Sequence, residues 1–402
     1  MVVLVLGIGL LTGCFGEPVT KVTPPTDPEI SLKLSATMAE LIWGHGYQQP
    51  HTNEIAEPVA GYTPVVQSTP APLPQDGTVI TPTMTVTPMV TEDPLIQLLF
   101  TGTIVTGRCV QDAVDKHGNA DFLYDDVRGL IRGADFAVGL LNSTISDTPP
   151  STGCVPTFVL TGRAVHAEAL ANAGFDLINM ATNHIKNCGP TNCGDRAFLD
   201  TLENLHKAGI RTVGAGLDLQ DALEPVVVEI KGVRFAFVAL GEIEKNAFAT
   251  EDSPGIAVLT DENLTQVIKK ARREADVVIV MPHWGSDYSH LPNYRQLHFA
   301  KVAAEAGADL VVGNHAHVIQ GYQNLDGVPV FYGLGSFVFD QDWSLETQQG
   351  LLLSVVFQGS RYKGFELTPV HIHGDGQVTI ALDEEAESII RQFNEISGKL
   401  RK

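Results

Sequence analysis

From Leu95 onward, short apolar runs alternate with segments whose apolar residues recur every three or four positions. The runs read as strands: LIQLLFTG, DFAVGLL, FDLINMAT, RFAFVAL, DVVIVMPHW, DLVVGN and VPVFYGLGSFVF. Between Arg196 and Ala208, Leu199, Leu202 and Leu205 return at three-residue steps while Glu203, Asn204 and Lys207 are polar. Asn293 to Ala306 is similarly mixed, so both segments predict packing helices. One joint recurs as Arg132-Gly133-Ala134-Asp135, Ala173-Gly174-Phe175-Asp176, Ala208-Gly209-Ile210 and Ala306-Gly307-Ala308-Asp309. In each, glycine suits the left-handed position just past a helix, and a strand follows within a few residues. Repeated joints of this kind predict a layered α/β sheet. After Gln349 the pattern gives two or three more strands and a helix between Asp383 and Lys399.

The chain ahead of this region has a different texture. Thr63 to Pro94 is rich in Thr, Pro and Val with almost no charge, a composition that cannot bury a core and reads as an extended stalk. Ser31 to Gly46 predicts a short helix with no evident function. The opening MVVLVLGIGLLTGC is too short to span a bilayer as a mature helix. It ends in Leu11-Thr12-Gly13-Cys14, small residues before a cysteine, and resembles a bacterial lipoprotein signal, although it lacks the usual opening Lys or Arg. A buried N-terminal strand is the alternative. The lipoprotein resemblance implies cleavage before Cys14, a lipid on its sulfur and an extracytoplasmic protein anchored to the cell membrane. The expected division is a signal over 1–14, a Thr/Pro-rich linker over 15–94, the main domain over 95–345, and strands and a helix over 346–402 that complete it.

Composition narrows the function. With 402 residues and 44% hydrophobic content, the chain can bury a sizeable core. A formal charge of −21 with no dense Lys/Arg run excludes nucleic acid as a partner. After Cys14 four cysteines remain, an even number that suggests disulfides in an exported chain. Three pairings are possible. Cys188 with Cys193, closing a short loop, and Cys109 with Cys154 are the favoured set; a four-cysteine zinc site lacks any C-x2-C spacing.

In open α/β sheets the chemistry collects beyond the carboxyl ends of the strands. There the sequence places Thr103 and Arg108, Asn142 and Ser143, Asn183 and His184, His283, then Asn314, His315 and His317, and finally Ser336 and Asp340. Imidazole and amide donors suit Zn, Mn or Fe, ions that activate bound water and polarise a phosphoryl or carbonyl oxygen. Arg108 could hold a substrate carboxylate or phosphate, or serve as a surface salt bridge. A serine nucleophile is disfavoured, because no G-x-S-x-G elbow accompanies Ser143 or Ser336.

Five motifs then follow in order: Phe100-Thr101-Gly102-Thr103, Ala181-Thr182-Asn183-His184, His283-Trp284-Gly285, Gly313-Asn314-His315-Ala316-His317 and Leu334-Gly335-Ser336-Phe337-Val338-Phe339-Asp340. Over roughly residues 96 to 345 they resemble the CapA family of capsule or poly-γ-glutamate synthesis, within the calcineurin-like metallophosphoesterase superfamily. The resemblance implies a four-layer α/β/β/α sandwich of the metallo-dependent phosphatase type. It also implies a cell-surface setting among capsule-synthesis proteins, with a surface polymer such as poly-γ-glutamate or a phosphoester as ligand. By the same resemblance Asn183, His283 and His315 are ligands of one metal position, His317 is a ligand of the other, and the adjacent His184 donates a proton or binds substrate.

Two departures bear on activity. Thr103 stands where the family has Asp, and Asn142 aligns with an acidic residue at the end of the second strand. Two amides and an alcohol cannot neutralise two divalent ions, so the expectation is one ion, on Asn183, His283 and His315 with Asn142 as a further candidate. Two functions compete. One is a metal-dependent hydrolase using His184 and Arg108; the other is a non-catalytic surface protein that binds or tethers an anionic polymer.

Overall fold

The computed structural model describes residues 93–148, 150–188 and 193–401. The signal, the Ser31–Gly46 segment and nearly all of the stalk lie outside these residues.

The first sheet contains β1 (Leu95–Ile104), β2 (Phe136–Leu141), β3 (Leu177–Asn179) and β4 (Arg211–Val213) as parallel neighbours. The second contains β5 (Val226–Ile230), β6 (Val233–Gly241), β7 (Val277–His283), β8 (Leu310–Val312), β9 (Tyr322–Leu325) and β10 (Val328–Phe331), in the order β9-β10-β8-β7-β6-β5. The chain then returns to the first sheet with β11 (Ser336–Val338), β12 (Gln349–Gln358), β13 (Arg361–Ile372) and β14 (Val378–Ile380). There β12 pairs antiparallel with β1, and β11 pairs with β1 in parallel, with Thr103 opposite Ser336.

Alternation along the strands sets the layers. On β6, Phe235, Phe237 and Ala239 face the first sheet, whereas Ala236, Val238 and Leu240 face the helices α4 (Asp261–Glu274) and α5 (Tyr294–Ala306). Phe237 stacks on Phe136 at 5.1 Å and Phe235 meets Phe357 edge-on at 5.4 Å, which joins the two sheets face to face. Each such ring, fully buried, contributes about 1.5–3 kcal/mol. Beyond the first sheet, Tyr124 and Phe175 close over Phe337, each at 6.3 Å. Helices α1 (Cys109–His117), α2 (Val165–Ala173) and α3 (Gly194–Lys207) bury Val110, Val114, Leu170, Phe198 and Leu205 on that side. The architecture is the expected four-layer α/β/β/α sandwich. A final helix, α6 (Asp383–Lys399), spans the edge: Ser397 Oγ accepts from the Tyr322 N–H of β9 at 2.9 Å, and Glu385 accepts from Gln349 of β12 at 3.1 Å. Among the described residues no helix is long and apolar enough to cross a membrane.

Helix caps explain several boundaries. Thr260 accepts from the Asn263 N–H at the start of α4, and Asn293 forms a reciprocal capping box with Gln296 at the start of α5. Gly174, Gly209 and Gly307 adopt the left-handed φ expected of the recurring joint. Gly133 does not: it is the last residue of a helical turn over Arg128–Gly133, and Ala134 leaves in an extended conformation as the Asp135 N–H reaches Gln97 O at 2.9 Å.

Two strand expectations change. The run VPVFYGLGSFVF is not one strand: its first part is β10 of the second sheet and its last part is β11 of the first. Gly335, at φ +77°, makes that passage, where any Cβ would collide with the Gln349 carbonyl. A strand absent from the expectations, β5, forms a hairpin with β6 through Lys231 and Gly232, both at positive φ as a tight two-residue turn requires. Both favoured disulfides, Cys109–Cys154 and Cys188–Cys193, are present.

Candidate metal centre

The carboxyl ends of the parallel strands in both sheets open toward the same edge. Asn179, at the end of β3, donates from Nδ2 to Met281 O of β7 at 3.1 Å, bridging the sheets below the site. One turn later Asn183 Oδ1 lies 2.9 Å from Nε2 of His283, the last residue of β7. His283 Nε2 in turn lies 3.1 Å from Nδ1 of His315. An amide oxygen and a second imidazole nitrogen, from two other chain segments, thus both approach His283 Nε2.

The loop after β8 is built to present its histidines. Gly313 is required because a Cβ would overlap the Trp284 indole, which donates to Tyr332 O at 2.9 Å. Asn314 donates to Thr101 O and accepts from the Leu334 N–H, each at 3.3 Å, fastening the loop to the first sheet. His315 and His317 have φ of 115° and 57°, values that side-chain-bearing residues rarely adopt. Two backbone bonds hold this strained turn: Trp284 N–H to Asn314 O at 3.0 Å and Tyr288 N–H to Ala316 O at 2.8 Å. The strain turns both imidazoles inward, where they are buried. His317 packs between Tyr288 and Phe339, and its Nδ1 is buried without a protein partner.

His184 is positioned from three sides. Its N–H donates to Asn142 Oδ1 at 3.0 Å, its ring stacks on the exposed Phe158, and its Nδ1 lies 2.7 Å from Asn187 Nδ2. An amide NH2 can only donate, so Nδ1 accepts and the proton of the neutral ring sits on Nε2. Burial, reinforced by His315 and Arg108 against an opposing Asp287, lowers the His184 pKa to about 4. Burial also lowers His315 to about 4, against Glu242. His283 and His317 are held well below the ordinary histidine value by burial and by the neighbouring histidines. All four rings are neutral at pH 7, the form that offers a lone pair to a metal.

The remaining sequence-derived residues occupy different roles. Asn142 spends its oxygen on the His184 amide, which leaves its buried Nδ2 without an acceptor. Thr103 is fully buried and its hydroxyl has no partner. Arg108 forms a buried ion pair with Asp340 and donates to Thr157 O at 3.2 Å, with its guanidinium over Phe339. It is thus neither a surface salt bridge nor a free anion clamp. Lys186, a further source of positive charge, is paired with Asp195 at 2.7 Å. Sequence reasoning missed two residues, Asn187 and Asp287. The Asp287 carboxylate lies 3.3 Å from His315 Nε2, in the loop four residues beyond His283.

The donor types, amide oxygen and imidazole nitrogen, suit a borderline divalent ion. Separations of 2.9 and 3.1 Å from His283 Nε2 bring Asn183 Oδ1 and His315 Nδ1 close enough to share an ion with it. The buried hydroxyl of Thr103 lacks any protein partner.

Residues 97–341 match the family described as Bacterial capsule synthesis protein PGA_cap. The chain belongs to this family. All of the candidate ligands, together with Arg108, His184 and Asp340, lie inside the matched segment. The PGA biosynthesis protein CapA of Bacillus subtilis (strain 168) is 29% identical over 309 residues, covering 76% of this chain and 80% of that protein. The capsule biosynthesis protein CapA of Bacillus anthracis is 29% identical over 317 residues, covering 77% and 75%. Among solved structures, a 5′-nucleotidase precursor from Thermus thermophilus aligns with a TM-score of 0.42 at 13% identity, covering 77% of this chain and 59% of that one.

Proposed function

We propose that this PGA_cap protein acts in capsule or poly-γ-glutamate synthesis as a surface hydrolase of phosphoester or polymer bonds, dependent on one divalent ion: Mn, Zn or Fe. The carrying observation is the approach of Asn183 Oδ1 and His315 Nδ1 to His283 Nε2 across the two sheets. An ion held there would lower the pKa of bound water and polarise the scissile group. His184, with its proton on Nε2 and its pKa lowered to about 4, is a hydrogen-bond donor to the substrate. A bound anion beside it raises that pKa and turns it toward proton donation. Arg108, fixed by Asp340, adds positive potential without itself being free to move. Anchoring through a lipid on Cys14 and contact with other capsule-synthesis proteins belong to the same proposal; Cys14→Ser should release the protein from the membrane fraction.

The test is metal analysis after reconstitution, paired with hydrolysis of bis(p-nitrophenyl) phosphate. One equivalent of ion and metal-dependent turnover support the reading; a protein that takes up no ion overturns it. Thr103, buried without a partner where the family carries Asp, favours a second reading, in which the site binds or tethers an anionic polymer without cleaving it. Titration with poly-γ-glutamate that gives saturable binding but no hydrolysis would select that alternative.

A further inference from the structure

Asp287 lies beside the centre, and the chemistry of His315 determines what it can do. A neutral imidazole has one nitrogen with a lone pair and one with a proton. His315 turns Nδ1 toward His283 Nε2 at 3.1 Å, and turns Nε2 toward Asp287 Oδ1 at 3.3 Å. If Nδ1 is the ligand atom, Nε2 carries the proton. It then cannot serve a second ion placed among Asp287, His315 and His317, although side-chain donor atoms of these three lie within 4.8 Å of one another. The carboxylate instead faces the Nε2 position at 3.3 Å, where an outer carboxylate can fix ring orientation and raise ligand basicity.

Asp287 is well placed for this. It sits in a loop pinned to the histidine turn by the Tyr288 N–H to Ala316 O bond. Its side chain is about half exposed, and partial burial raises its pKa against the opposing pull of His184. The other histidine of the set has no equivalent, because His283 Nδ1 is buried without a protein partner. A single negative charge reaching the centre through His315 also compensates a donor set that is otherwise neutral.

Resting on the metal reading above, we propose that Asp287 is the positioning residue of the centre. It fixes His315 as the Nε2–H tautomer so that Nδ1 faces one ion, and it is not a ligand of a second ion. The test compares Asp287→Ala and Asp287→Asn with wild type by metal titration, counting bound ions and measuring affinity, after circular dichroism has verified the fold. The expected result is one ion in all three proteins. Alanine should weaken binding about 10–100-fold, and asparagine, which keeps an acceptor but not the charge, should fall between alanine and wild type. Two ions in wild type and one in the variants would make Asp287 a ligand and overturn the proposal, as would affinities within twofold of wild type. A wild-type protein that binds no ion would overturn the metal reading itself. Nitrogen-15 shifts of His315 in the metal-free protein would then still decide the orienting role: Nε2–H in wild type and a tautomer mixture in Asp287→Ala support it, and identical tautomers overturn it.

Discussion

Asn187 holds the ring of His184 by a 2.7 Å contact from its amide nitrogen to Nδ1. The pair lies on one turn, three residues apart, and Cys188 follows directly into the short disulfide loop. Removing the amide frees the ring to flip and to change tautomer. Asn187→Ala should therefore lower kcat on a phosphodiester about 10-fold with little change in KM, while His184→Ala should lower kcat about 10²–10⁴-fold. Steady-state kinetics on the metal-loaded protein check both, and an unchanged kcat in Asn187→Ala would remove its positioning role.

Acid should destabilise the domain through His166, remote from the centre. This histidine of α2 is fully buried, with Nε2 3.2 Å from Gln111 Oε1, and burial pushes its pKa down to about 3. Above about pH 6.5 it is neutral in both folded and unfolded chains. Below that value the unfolded chain binds a proton that the folded chain refuses until near pH 3. Stability therefore falls with pH across this window, by about 1.4 kcal/mol per unit. Urea unfolding at pH 7.5 and 4.5 should show a loss about 2–3 kcal/mol smaller in His166→Gln than in wild type. His184, His283, His315 and His317 add losses of the same sign, which cancel in the difference.

The disulfides should differ in weight because they close loops of different length. Cys109–Cys154 spans 45 residues and Cys188–Cys193 spans 5. Chain entropy gives about 4 kcal/mol for the first and about 2 kcal/mol for the second. Paired serine variants, compared by denaturant unfolding, should keep that order.

The Arg108–Asp340 pair should behave as a buried charge pair. Side-chain exposures of 13% and 3% leave little solvent to compensate a lost partner. Asp340→Ala should cost about 3–5 kcal/mol, and the double variant Arg108→Met/Asp340→Leu should recover most of it. If the two single losses simply add, the ions are not coupled.

Much of this arrangement was legible in the sequence because it obeys rules that a single chain displays. Apolar runs announce buried strands, and an open sheet leaves its reactive groups at the strand ends, so Asn183, His283 and His315 could be found by reading one or two residues past each run. Asp287 could not be found in that way, since it lies in a loop bent at Gly285 before it and Tyr288 after it, both at positive φ, and its relation to His315 is made in space alone. Asn142 was legible as a polar strand end, but not that its oxygen turns to a backbone amide. VPVFYGLGSFVF looked like one strand because hydrophobicity encodes burial and not which sheet provides it.

The pairing of β1 with β12 has a consequence for how the molecule is made. Among the described residues, the strand synthesised first, β1, lies in the middle of its sheet, and one of its neighbours, Gln349–Gln358, follows some 250 residues later. Until then the edge of β1 over Leu95–Phe100 has its backbone hydrogen-bonding groups unpaired on that side, and so distant a contact also slows closure. A nascent chain of this kind is a natural client for a holding chaperone, and a truncation before Gln349 should yield an aggregating product rather than a smaller working domain.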